Sequence, residues 1–391
     1  MRRAGIVFTK EVLDNLRDRR SLLAALFYPI LGPSLLVLVL LLVGRTFRDR
    51  AESDIELPVA GAAHAPNLMN YLGSHGLDIV EAPSDPEAAV AAGDADVVLV
   101  VPEDFAEAFT SGQPAPLQLV VDGSRNTATI SVGRVRRALD SYSRRTGALR
   151  LMARGINPAV VDALAIEQVD VATPQSQAAN LLNLMPYFVV FAIFVGGMYL
   201  AIDATAGERE RGSLEPLLTN PVARWEIVAG KLGATMLFTL VSLVETLLAF
   251  AVLFNVVPLG DSLGIRLSLG VGTFATIFLI TVPMVLLAVP LQLLIAAYTR
   301  SFKEAQNYLS MLPLVPALPG MFLAFLPVKP ALWAMLIPTF GQQILINQVM
   351  RGEAVAPLHV GAATAVTVVL GIALTALVVR LFERERILFG R

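Results

Sequence analysis

The chain has no cysteine. Disulfides, thiolate nucleophiles and Cys-ligated zinc, iron–sulfur or copper centres are therefore excluded. Histidine is almost absent too: His64, His75 and His359 are scattered and fit no metal spacing. Charge is scarce. Asp, Glu, Lys and Arg make up 16% of the 391 residues, against about 25% in an ordinary soluble domain. The formal net charge of -2 says little about partners, because the charges are segregated along the chain; no nucleic-acid partner is expected.

Catalytic motifs are missing as well. No G-x-x-x-x-G-K-[ST] loop occurs; Gly230-Lys231 lacks the upstream glycine loop and the following Ser or Thr. No H-E-x-x-H occurs. A serine hydrolase needs a positioned histidine base, and His359 opens an apolar run. The chain by itself is not expected to be an enzyme, to hold a metal or to bind a cofactor.

What is present is apolar: 55% of the residues are hydrophobic. Residues 1–20 mix Ile6, Val7, Val12, Leu13 and Leu16 with Lys10, Arg17, Arg19 and Arg20. That spacing predicts an amphipathic helix in the membrane interface. Residues 21–43 form the first transmembrane helix, too long for the h-region of a cleaved signal and long enough for about 30 Å of hydrocarbon. Pro29 and Pro33 predict a kink or a broken first turn in it.

Residues 44–179 change character. Short β-branched runs (Ile55–Ala60, Asp78–Glu81, Val97–Val101, Leu117–Val121) alternate with helix-like stretches at Asn67–Leu77, Pro86–Ala92 and Thr127–Ala153. The alternation predicts a small α/β domain. Residues 180–391 then hold five more spans, near Leu181–Ile202, Gly230–Val257, Leu267–Tyr298, Gln306–Leu326 and Leu358–Val379. Pro283 and Pro290 predict one tilted, kinked helix across the fourth. Residues 327–357, apolar but broken by Pro330, Pro338 and Gly341, read as a re-entrant helical hairpin before the last span.

Basic residues orient the chain. Arg2, Arg3, Lys10, Arg17, Arg19 and Arg20 precede the first span; Arg209, Arg211, Arg224 and Lys231 follow the second; Arg300 and Lys303 follow the fourth; Arg380, Arg384, Arg386 and Arg391 end the chain. The short segments on the other side hold Arg266, Lys329 and Arg351. The positive-inside rule predicts six spans, cytoplasmic termini and an extracytoplasmic α/β domain. The expected location is the cell membrane, a bacterial inner or plasma membrane.

Polar groups inside spans are costly and draw a functional reading. Glu245 is the sharpest, with Ser242 and Thr246 beside it; it reads as a cation or proton site, or as a carboxylate facing a wet cavity. Asn183 and Gln292 read as part of a substrate path or as interhelical hydrogen bonds. Gly196-Gly197 and Gly270/Gly272 predict close helix packing.

The most informative stretch is Glu208-Arg209-Glu210-Arg211-Gly212-Ser213-Leu214-Glu215-Pro216-Leu217-Leu218, followed by Pro221-Val222, Trp225-Glu226-Ile227 and Gly230-Lys231. Leu214, Leu217 and Leu218 share one face at helical spacing, and dense charge beside leucines makes a docking surface. This run resembles the cytoplasmic loop of ABC-2-type exporter permeases, most of all their sodium-efflux, NatB-like branch. Ala95-Asp96-Val97-Val98-Leu99-Val100-Val101-Pro102 and the Pro338–Gly352 stretch are similar to that family as well.

The resemblance implies a permease that works with a separate ABC ATPase subunit, which holds the ATP and magnesium. It implies a coupling helix at 208–221, with Glu208, Arg209, Glu210, Gly212, Leu214, Glu215, Leu217 and Leu218 meeting the ATPase. It implies a homodimer in membrane lipid that exports sodium. Related exporters of lipids, drugs or peptides share the loop, and a complex that transmits force to the external domain without transport is the rival reading.

Overall fold

The structure is a computed structural model, and it describes residues 2–52, 55–125, 129–161, 164, 182–213, 216, 221–257, 269–326 and 328–383. The chain forms two compact units, Arg45–Asp170 and Met1–Gly44 with Val171–Arg391. Two helices open it, α1 (Arg2–Arg17) and α2 (Arg19–Glu52).

The smaller unit is an α/β domain. Its elements are β1 (Ile55–Ala60), α3 (Pro66–Gly73), β2 (Leu77–Glu81), α4 (Pro86–Ala92), β3 (Val97–Val100), α5 (Phe105–Thr110), β4 (Gln118–Val121) and α6 (Thr129–Ala153). The strand order is β2-β1-β3-β4. β1 pairs parallel with β2 and β3, and β3 pairs antiparallel with β4. Parallel neighbours need a crossover, which α3 and α4 supply. β3 reads Val-Val-Leu-Val because its residues are buried on both faces. α4 has clear local causes. Pro86 sits in its first turn, the Asp85 carboxylate accepts from the Ala88 amide at 3.0 Å, and Gly93 ends it at φ +89°. Leu57, Leu68, Leu72, Leu99 and Val135 form the core.

The larger unit contains helices long and apolar enough to cross a membrane: Leu26–Arg45 within α2, α7 (Met185–Glu210), α8 (Arg224–Val256), α9 (Val271–Tyr298) and, further on, Pro357–Glu383. Between α9 and that last helix lie α10 (Phe302–Met311), α11 (Leu314–Phe325), α12 (Leu332–Met335) and α13 (Phe340–Arg351); Pro357–Glu383 is α14. The fifth expected span is thus two short helices. Pro313 lacks an amide proton and clashes with the preceding turn, which separates α10 from α11. The expected hairpin region holds α12 and α13. They are joined through Thr339, a non-glycine residue held at φ 67° whose hydroxyl donates to the Pro316 carbonyl.

Prolines inside the spans do not break them. α2 runs through Pro29 and Pro33, and α9 through Pro283 and Pro290. Pro33 has no N–H for the carbonyl four residues back, so Pro29 loses its helical donor. The Thr246 hydroxyl of α8 supplies a substitute at 3.2 Å. Pro290 strips Leu286 in the same way, and Gly371 of α14 packs against that bare carbonyl. A Cβ at Gly371 would stand 2.3 Å from it. Gly196 and Gly197 likewise seat Ser242 and Thr239 of α8, which a Cβ would meet at 2.4 Å in each case. Among the described residues nothing lies within 4 Å of a Cβ placed at Gly270 or Gly272, so the close packing expected there is not found among them.

Candidate functional site: a charged hub at the end of the spans

α7 ends in a wide π-helical turn, Asp203–Gly207, before the helical residues Glu208–Glu210. The helix then stops at Gly212, whose φ of +68° favours glycine. The chain turns at Gly212, and the Ser213 amide and hydroxyl close back on the Glu208 carbonyl. Leu214, Glu215, Leu217 and Leu218 lie outside the described residues.

The triplet Glu208-Arg209-Glu210 reaches in three directions. Glu208 is buried, and its Oε2 accepts from Lys231 Nζ at 2.7 Å. Its Oε1 accepts from Lys10 Nζ at 2.7 Å. Arg209 donates to the Ala297 and Thr299 carbonyls at 2.7 and 2.8 Å, at the C-terminal end of α9. A guanidinium there meets the negative end of the helix dipole and satisfies carbonyls that have no helical partner. Glu210 accepts from the Phe302 amide at 2.7 Å, at the N-terminal end of α10, where the dipole favours a carboxylate. Ser301 and Glu304 complete a capping arrangement on the same end.

α1 is built into this hub. The Glu11 carboxylate is buried and accepts from Lys231 Nζ at 2.9 Å and Lys10 Nζ at 3.2 Å. Two carboxylates and two ammonium groups thus balance in a site where Glu11, Glu208 and Lys231 have side chains no more than 5% exposed. Burial opposes the Lys10 charge, but its hydrogen bond to Glu208 and the charges of Glu11 and Glu208 prevail, so it titrates above the usual lysine value. Gly230 and Gly233 of α8 make the docking possible. A Cβ at Gly230 would lie 2.6 Å from Val7, and one at Gly233 would lie 3.2 Å from the Phe8 ring. Arg3 also donates to the Pro221 carbonyl.

The intramembrane polar residues do not gather in one chamber. Glu245 lines an apolar groove of about 690 Å³ with Leu26, Ile30, Val241 and Leu248, and its Oε2 has no hydrogen-bond partner. Ser242 and Thr246 face elsewhere: their hydroxyls donate to the Ala192 carbonyl and to the Pro29 and Ser242 carbonyls. Gln292 Nε2 donates to the Phe194 carbonyl at 2.7 Å, beside the interruption of α7 at Gly197. Asn183 lines a separate recess with residues of α13. Among the described residues no group of His, Cys, Asp and Glu is placed to hold a metal.

The family model described as "ABC-2 family transporter protein" matches residues 23–380. The chain belongs to the ABC-2 transporter family. It is 30% identical over 351 residues to the ABC transporter permease protein NatB of Bacillus subtilis, covering 88% of this chain and 89% of that one. It is also 26% identical over 134 residues, a third of each chain, to the probable multidrug ABC transporter permease YbhR of Escherichia coli. As an ABC-2 permease it is a membrane-spanning subunit of an ABC exporter.

Sequence reading missed Glu11 and the structural role of Lys231. One signal was available. Glu11 and Asn15 stand four apart on α1, on the same face as Val7, Phe8 and Val12, and both are buried. An acidic residue on the face of an amphipathic helix that otherwise packs against protein marks a partner of opposite charge.

Proposed function

We propose that this permease is driven by a separate ATP-binding subunit that docks on residues 208–221, and that two copies of the chain form the export path. The observation that carries this reading is the reach of three consecutive residues. Glu208 holds α1 and α8, Arg209 holds the end of α9, and Glu210 holds the start of α10. A displacement of the adjoining loop then moves four helices together rather than bending one. Such a rigid attachment is what converts closure of a partner into a change of access. Leu214, Glu215, Leu217 and Leu218 supply the apolar and acidic contacts in this reading, and the charged termini face the cytoplasm.

Sodium is the proposed cargo, by relation to NatB, with Glu245 on its path. The test is ATP-driven sodium movement in sealed vesicles that contain the permease and its ATPase. Loss of that movement in Leu217→Asp/Leu218→Asp, with the permease still inserted, supports the coupling assignment. Full activity of the permease without any ATPase overturns it. Loss of sodium movement in Glu245→Ala supports the cation path, and unchanged movement removes Glu245 from it.

A second reading has its own observation. A hard cation needs several oxygen ligands, yet the Ser242 and Thr246 hydroxyls are committed to backbone carbonyls and the groove around Glu245 is apolar. A lone carboxylate in an apolar groove suits a lipophilic organic cation. Tetraphenylphosphonium export that depends on Glu245, with no sodium movement, decides for this reading.

A further inference from the structure

α14 ties one end of the larger unit to the hub, because Arg224 donates to the Phe382 and Glu383 carbonyls. The helix is 27 residues long, so Pro357 stands about 40 Å away at the other end. There α11 and α13 enclose two recesses. One, of about 390 Å³, sets Asn183, Asn347, Gln348, Lys329, Arg351 and Glu353 beside apolar side chains. The other, of about 360 Å³, is lined by apolar residues that include Leu318, Phe322 and Phe340. Leu323 and Val328 line both, so the two lie side by side.

The polar half asks for a particular chemistry. Asn347 Oδ1 and Gln348 Oε1 are buried acceptors without a hydrogen-bond partner. Such groups are costly unless a donor meets them. Glu353 adds a carboxylate on the exposed rim, and Lys329 and Arg351 add positive charge in the same recess. A ligand that satisfies this set carries an ammonium with N–H donors next to an anionic group. A ligand that also fills the apolar half carries a hydrocarbon chain.

We propose that these adjoining recesses together bind a membrane aminophospholipid, phosphatidylethanolamine in chemical class. The ammonium meets Asn347, Gln348 and Glu353, the phosphate meets Lys329 and Arg351, and an acyl chain lies along α11. The proposal is independent of what the protein exports. It also separates two lipids that differ only in N-methylation. Phosphatidylcholine has the same charges but no N–H, so it leaves the carboxamide oxygens unpaired and binds about tenfold more weakly or worse.

The experiment titrates the purified full-length chain in detergent with acyl-labelled phosphatidylethanolamine and phosphatidylcholine of identical chains. The expected result is a preference of about tenfold for phosphatidylethanolamine, lost in Asn347→Leu/Gln348→Leu. Glu353 is exposed and its substitution leaves the fold intact, so Glu353→Lys is the second variant. It should weaken phosphatidylethanolamine binding severalfold and leave phosphatidylglycerol, which has no ammonium, bound as well or better. Equal binding of the two labelled lipids, no binding of either, or phosphatidylethanolamine affinity unchanged in Glu353→Lys overturns the proposal.

Discussion

Lys231 donates to two carboxylates from different parts of the chain, Glu11 at 2.9 Å and Glu208 at 2.7 Å. Its side chain is 1% exposed. Removing one member of such a buried set leaves an uncompensated charge, which costs about 3–5 kcal/mol. Lys231→Met is therefore expected to lower the melting temperature of the detergent-solubilised protein. Adding Glu11→Gln and Glu208→Gln to it should restore most of the loss, since neutral partners need no counter-charge. A triple variant no more stable than Lys231→Met alone would show that the charges do not balance one another.

The seat of α1 on α8 depends on the missing side chain of Gly230. Gly230→Leu would drive a branched side chain into Val7 and the Ala4 carbonyl. Because the chain has no native cysteine, Phe8→Cys provides a single reporter beside Gly233. Maleimide labelling of that cysteine should speed up severalfold when Gly230→Leu is added. Equal labelling rates would mean that α1 remains seated in spite of the clash.

Arg209 caps α9 with two hydrogen bonds in a fixed fork. Arg209→Gln should leave ATP hydrolysis by the assembled exporter largely intact and lower the transport achieved per ATP. Arg209→Lys should not rescue it, because an ammonium presents no planar fork to two carbonyls. Transport per ATP equal to that of the native protein would remove Arg209 from the link between α7 and α9.

Orientation can be read with two single cysteines on exposed residues. Glu103→Cys in the α/β domain should react with a membrane-impermeant maleimide added to intact cells. Ser213→Cys, beside Gly212, should react only in inverted vesicles. The reverse pattern would place the charged hub outside and end the proposal that a cytoplasmic ATPase docks there.

Elements with purely local causes were legible in the sequence. β1 and α4 occupy the residues of the Ile55–Ala60 run and the helix-like Pro86–Ala92 stretch, and Gly196-Gly197 packs closely as expected. Features set by distant partners were not. Nothing near Pro29 in the sequence announces that Thr246 will satisfy its carbonyl, and nothing near Glu11 announces Lys231. Periodicity reports which face of a helix is apolar, and it carries no information on which other helix lies against that face. The division at Pro313 was visible as a proline, but whether a helix bends through or stops depends on neighbours that take up the freed carbonyls. α2 has such a neighbour at Pro29, and at Leu286 of α9 the glycine of α14 packs closely against the carbonyl. Asn347 and Gln348 stand out in the sequence as polar residues within an apolar stretch, but which of their atoms lack a partner is set by the packing of other elements.

The wide turn at Asp203–Gly207 fixes where the acidic and basic groups after it point. One added residue rotates everything downstream by about 100° around the helix axis. Were that turn an ordinary α-helical one, Glu208 would swing away from Lys231, Arg209 would lose the tip of α9, and of the two buried carboxylates only Glu11 would remain to the two lysines. The charged hub is thus aimed by a single surplus position in the second span, and shortening the chain there by one residue would misalign all of its attachments at once.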